Sequence, residues 1–132
     1  YRLAAGGAQQ LWSLPYSDRG ASPVIHNGFV YAIGGWQKPH AVCVGLETGK
    51  VAWEVKVPAT EISSPIVADG KIWYNFGMFE NTSLYCLRAT PEQYTLLGTA
   101  AIPVVTATSP AIVDGRIYLR LVDAVACYDL RR

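Results

Sequence analysis

The stretch SPVIHNGFVYAIG at residues 22–34 decides the fold, because it returns as SPIVADGKIWYNFG at residues 64–77 and as SPAIVDGRIYLRL at residues 109–121. The three copies align without gaps over their first ten positions, and their starts lie 42 and 45 residues apart. A period of that length marks a repeat architecture, in which one supersecondary unit buries its faces only by stacking on its neighbours. Each copy reads as a β-hairpin. A short apolar strand runs into Asn27-Gly28, Asp69-Gly70 or Asp114-Gly115, and a second strand rich in Val, Ile, Tyr and Trp leaves it. Asn-Gly and Asp-Gly suit a two-residue type I′ turn, whose central residues both need positive φ. Pro23, Pro65 and Pro110 stand at the strand entrances, where a missing N–H costs the ladder least.

A third strand follows in each copy, HAVCVGL at 40–46, SLYCLRA at 83–89 and AVACYDL at 124–130, and Cys43, Cys86 and Cys127 fall on one position of it. Thiols at one position of neighbouring repeats are held apart by the repeat spacing. They are therefore expected to be small buried hydrophobes rather than disulfide partners or metal ligands. A fourth strand, KVAWEVKVP around Trp53, closes the first copy, and a weaker one, YTLLGTAAIP, closes the second. The chain opens with a matching piece, QQLWSLP around Trp12, that has no hairpin ahead of it. Four antiparallel strands per repeat make the blade of a β-propeller, and no helical period competes over any long window. The expectation is an all-β chain, a β-propeller fragment of about three blades. Residues 1–21 are the end of a preceding blade with its outer strand, 22–63 and 64–108 are blades, and 109–132 are an incomplete last one.

Composition agrees with a folded chain: 51% of the 132 residues are hydrophobic and 16% charged, far from the balance that leaves a segment disordered. A formal net charge of +1, with no basic cluster beyond Arg131 and Arg132, argues against nucleic acid or an anionic membrane as partner. No apolar run approaches the ~18 residues that cross a bilayer as a helix. The sequence begins at Tyr1, has Met78 as its single Met and carries no basic-then-apolar leader, so its N-terminus is expected to reflect processing or a choice of boundary.

The stretch CVGLETGKVAW at 43–53 resembles the tryptophan-docking motif of PQQ-like (quinoprotein-type or BamB-like) propeller repeats, roughly A-x-D-x-x-T-G-K-x-x-W. Thr48, Gly49, Lys50 and Trp53 match, whereas Cys43 replaces the Ala and Gly45 the Asp. The other copies are degenerate. By the same count the second has Pro91 in the Thr place and Leu96 in the Trp place, the third keeps Asp129, and the opening piece keeps Trp12. The resemblance implies that the Trp packs between adjacent blades, a task suited to a large flat apolar ring with one N–H to satisfy. WD40 and kelch repeats fit less well, since neither the WD dipeptide nor a Gly-Gly strand signature occurs at repeat spacing. In the motif frame Tyr1-Arg2-Leu3 aligns with Tyr85-Cys86-Leu87, which starts the chain inside the third strand of an earlier blade. Closed propellers need four to eight blades. The fragment is thus expected either to be the C-terminal part of a longer propeller or to join a second copy head to tail, the Trp12 strand completing the partner's last blade. An open sheet edge invites such association.

Chemistry is sparse. His26 beside the first turn and His40 before the third strand have no Cys or carboxylate at ligand spacing, and no serine has a base at hand. Asp69 and Asp114 are turn residues, Glu80 and Asp123 fall in loops between second and third strands, and Glu47 lies in the docking stretch. No catalytic, cofactor-binding or metal-binding residue is assigned, and no cofactor is expected. The resemblance implies a non-enzymatic scaffold or protein-interaction module, like the members that act in bacterial envelope assembly, periplasmic or secreted. Its alternative is a fragment of a PQQ- and Ca²⁺-dependent quinoprotein dehydrogenase with its active site in other blades, although the vicinal Cys pair of many alcohol-oxidising members is missing. The expected partner is another protein or the remainder of the propeller. Rim loops of a rigid ring carry recognition, so Trp36, Lys38, Phe79 and Glu80, in GGWQKPH and GMFENTS, form the candidate interaction surface; Trp36 and Phe79 capping the blade edge is the competing reading. Trp12, Trp53, Gly28, Gly70, Gly115, Cys43, Cys86 and Cys127 are the structural repeat positions.

Overall fold

The computed structural model describes residues 2–16, 20–35, 40–57, 63–78, 81–105 and 108–131, and all regular structure among them is β-strand. β1 (Arg2–Ala4) and β2 (Gly7–Gln9) form a two-stranded piece. β3 (Val24–His26), β4 (Phe29–Gly34), β5 (His40–Gly45) and β6 (Val51–Lys56) make a sheet in chain order. The next sheet is β7 (Ile66–Ala68), β8 (Lys71–Met78), β9 (Asn81–Arg88) and β10 (Leu96–Ala101), and the last is β11 (Ala111–Val113), β12 (Arg116–Arg120) and β13 (Val125–Asp129). Every pairing is antiparallel, and β3, β7 and β11 approach one another from sheet to sheet. This is a β-propeller fragment of about three blades that do not close into a ring.

Local chemistry explains the hairpins. Asn27, Asp69 and Asp114 have φ of 46°, 51° and 48°, and the glycines after them 79°, 64° and 71°, the type I′ pattern that the right-handed strand twist favours. Each hairpin glycine then takes part in a bond that recurs in all three blades. Leu46, Ala89 and Leu130 donate their N–H to the carbonyls of Gly28, Gly70 and Gly115 at 2.9, 2.9 and 2.8 Å. The chain leaving each third strand is thereby tied back to the hairpin.

Alternation along the strands makes each blade two-faced. On β8, Ile72 and Tyr74 are buried against the blade before, whereas Trp73 packs toward the blade after. The first inter-blade core holds Tyr31, Ile33, Cys43, Trp53, Ile72, Tyr74 and Leu87, with Tyr74, Phe76 and Tyr85 in a stack whose centroids lie 4.5–6.3 Å apart. The second is smaller, built on Leu84, Val104, Ile117 and Leu119 with Trp73, Ile112 and Leu130 against it.

Two expectations are corrected. Trp12 lies beyond β2 rather than on a strand: the pairing Arg2↔Gln9, Leu3↔Ala8, Ala4↔Gly7 runs out before a partner for Trp12 is reached. His40 is the first residue of β5, where the stretch HAVCVGL begins, rather than a residue of the loop before it. Its ring meets Tyr16 edge-on at 4.8 Å, and its Nε2 lies 3.7 Å from Glu54 Oε1.

Candidate functional site

The candidate rim residues Trp36, Lys38, Phe79 and Glu80 lie outside the described residues. What the described residues put on show is instead a repeated blade face. Its middle row follows from register. Val24, Tyr31, Cys43 and Trp53 stand side by side across the first full blade, and Ile66, Trp73, Cys86 and Gly98 across the second. Ala111, Tyr118 and Cys127 form the row in the third. In the first blade the following blade covers this row, and in the second it buries Cys86 and half-buries Ile66 and Trp73 but leaves Gly98 exposed.

The cysteine column reports this cover. Cys43 and Cys86 are buried, and burial pushes both thiols up from their usual range. Cys127 is exposed, which corrects the expectation of a buried thiol at all three positions. The residue type and register are the same, but no described blade follows the third. Beside it Val113 is 54% exposed and Val125 74%, with Arg116 and Arg120 on the same face. The three thiols are all free.

Two indoles join one blade to the next. The Trp12 Nε1–H donates to the Leu46 carbonyl at 2.7 Å, and its ring covers Gly49 so closely that a Cβ there would meet Trp12 Cγ at 2.6 Å. Gly49 also has φ of 69°, so the position has two reasons to be glycine. Trp53 donates to the Thr90 carbonyl at 2.9 Å and meets Tyr31 at 6.0 Å and Tyr94 at 5.7 Å. Between the second and third blades the count of ten residues from the cysteine leads to Leu96, but the turn into β10 is two residues longer than the turn into β6, so that Leu96 pairs with Leu87 as Val51 does with Val44, and Gly98 stands opposite Cys86. Leu96 therefore does not occupy the Trp place, and Gly98 and Trp73 are the positions that motif counting missed.

No three His, Cys, Asp or Glu come together among the described residues in a group able to hold a metal ion. Ca²⁺ takes six to eight oxygen ligands with carboxylates among them. The described residues thus do not fit the PQQ and Ca²⁺ set of a quinoprotein centre. Asp69 and Asp129 are exposed and engaged locally, by Lys71 and by Arg131, which lower their carboxyls below the usual range. Among the described residues no helix is long and apolar enough to cross a membrane.

No family model matches the chain, and no curated protein matches it. Among solved structures the chain is similar to BamB from Moraxella catarrhalis, with a TM-score of 0.66 and 16% sequence identity, over 95% of this chain and 37% of that one. The chain therefore spans little more than a third of that protein's length. At this identity the likeness shows the fold alone, a run of antiparallel blades from a larger β-propeller architecture.

Proposed function

We propose that the chain belongs to a PQQ-like repeat propeller and serves as a non-enzymatic protein-binding scaffold, in which the face of the last blade is occupied by a further blade. The observation that carries this is the row Ala111, Tyr118, Cys127 with Val113 and Val125, the same face by which the two blades before it hold their neighbours. The Thr48-Gly49-Lys50 turn under Trp12, and the two indole bonds, support the repeat type. The covering blade comes from the rest of a longer propeller or from a second copy joined head to tail. The likeness to BamB supports a periplasmic or secreted setting, and Trp36, Lys38, Phe79 and Glu80 remain the proposed partner contacts on the rim.

Light scattering on the chain tests the second-copy form: a mass of twice the monomer that reverts to one on Val125→Lys is expected. A strictly monomeric mass with a well-dispersed spectrum sinks it and leaves the longer propeller. Binding of PQQ with Ca²⁺ by a protein carrying the further blades would sink the scaffold reading altogether.

A further inference from the structure

The second and third blades meet without the ring that joins the first and second. Trp53 stands opposite Cys43 and reaches the Thr90 carbonyl of the next blade. Gly98 holds that place on β10, and a Cβ built on it meets nothing within 4 Å. Trp73, standing where Tyr31 stands, does not fill the gap. A cleft of about 900 Å³ remains, lined by Ala68, Asp69, Lys71 and Trp73 of one blade and by Ile112, Val113, Leu130 and Arg131 of the next.

Its walls correspond position by position to the filled joint. Trp73 matches Tyr31, since both pair with the column cysteine, and Lys71 matches Phe29, since both follow the hairpin glycine. Leu130 matches Ala89, since both bond the hairpin glycine carbonyl, which puts Arg131 in the place of Thr90. The wall that was Phe, Tyr and Thr has become Lys, Trp and Arg. Asp69 holds the Lys71 ammonium, and Asp129 holds the Arg131 guanidinium at 2.6 Å.

We propose that this cleft binds a tryptophan side chain presented by a partner protein. The other two joints show the solution this fold uses for the same space: an indole laid across it. Here the receiving wall is present and the donor strand carries glycine. An incoming indole stacks on Trp73, a ring contact that adds to the area it buries. The flanking cations favour the face of an electron-rich ring over an aliphatic side chain. The inference stands on the blade geometry alone, so its failure leaves the scaffold reading untouched.

The probe is N-acetyl-tryptophanamide, titrated into the isotope-labelled chain and followed by amide and indole NMR shifts, with N-acetyl-leucinamide as the comparison. A lone indole side chain is expected to bind at a Kd on the order of 1 mM, moving the Trp73 indole and the backbone signals of Asp69, Lys71 and Leu130, with the leucine amide at least ten-fold weaker. Gly98→Trp supplies the missing ring from within and is expected to abolish binding with the spectrum still dispersed. Leu96→Trp, on the other side of the register shift, leaves binding intact. Should Gly98→Trp fail to fold, Trp73→Leu, which keeps an apolar wall without a ring, is expected to weaken binding about ten-fold. Equal shifts with the leucine amide, shifts confined to other residues, or binding retained in folded Gly98→Trp overturns the proposal. A concentration-dependent rise in mass that Gly98→Trp removes overturns it as well, by giving the cleft to a second copy.

Discussion

Gly49 shows how one residue can carry a joint between blades. A methyl group there would collide with the Trp12 ring, and φ of 69° strains any L side chain. Gly28 has φ of 79° but open space around it, so only the conformational cost applies. Gly49→Ala is therefore expected to cost about 2–4 kcal/mol, the sum of strain and overpacking, against about 1 kcal/mol for Gly28→Ala. Urea unfolding separates the two, and equal costs would mean that the Trp12 contact is absent. The indole bond can be isolated in the same way. Trp53→Ala leaves a cavity and is expected to cost about 3–5 kcal/mol. Trp53→Phe keeps most of the ring and removes the N–H to Thr90, and is expected to cost less, with about 1 kcal/mol from the hydrogen bond itself. Thiol labelling reads the cover on each face directly. In the monomeric chain one cysteine, Cys127, is expected to react with maleimide before unfolding, and Cys43 and Cys86 only on unfolding; a second copy seated on the last blade slows Cys127 as well.

At the scale of strands, β13 is the element to watch. It pairs with β12 on one side and with no described strand on the other, whereas β5 and β9 lie between two partners. Amide exchange in the monomeric chain is expected to be faster in β13 than in β5 and β9, and a β13 as protected as β5 would mean that something covers its edge. The hairpins were legible in the sequence because their cause is local: Asn-Gly and Asp-Gly turn the chain whatever lies around them, and their φ values agree. The four-strand repeat was legible for the same reason. The Trp place on β10 was not. Counting ten residues from Cys86 assumes that every blade turns in the same number of residues, but the second blade turns two residues later than the first before the register shift that both share. The fate of Cys127 was not legible either, because its burial belongs to a neighbouring blade and not to its own strand.

Across the whole molecule, stability is expected to decline on the alkaline side. Burial pushes the Tyr31 and Tyr74 hydroxyls and the Cys43 and Cys86 thiols up from their usual values. In the unfolded chain thiols ionise near ~8.5 and phenols near ~10. The folded protein thus holds these protons to higher pH than the unfolded one. Their contribution is complete below about pH 8 and is lost as the pH climbs past the unfolded values. Melting temperatures measured from pH 7 to pH 11 are expected to be flat at first and then to fall, and Tyr31→Phe is expected to soften the fall; a flat profile throughout would contradict the burial. The tryptophan joints carry a different consequence. Each indole bonds a carbonyl 34 or 37 residues further along the chain, in the next sheet. The segment that conserves both ends of that bond is out of phase with the sheets. A deletion cut cleanly at sheet borders would leave intact blades with severed couplings, whereas one cut from indole to indole would shorten the array and keep its links in series.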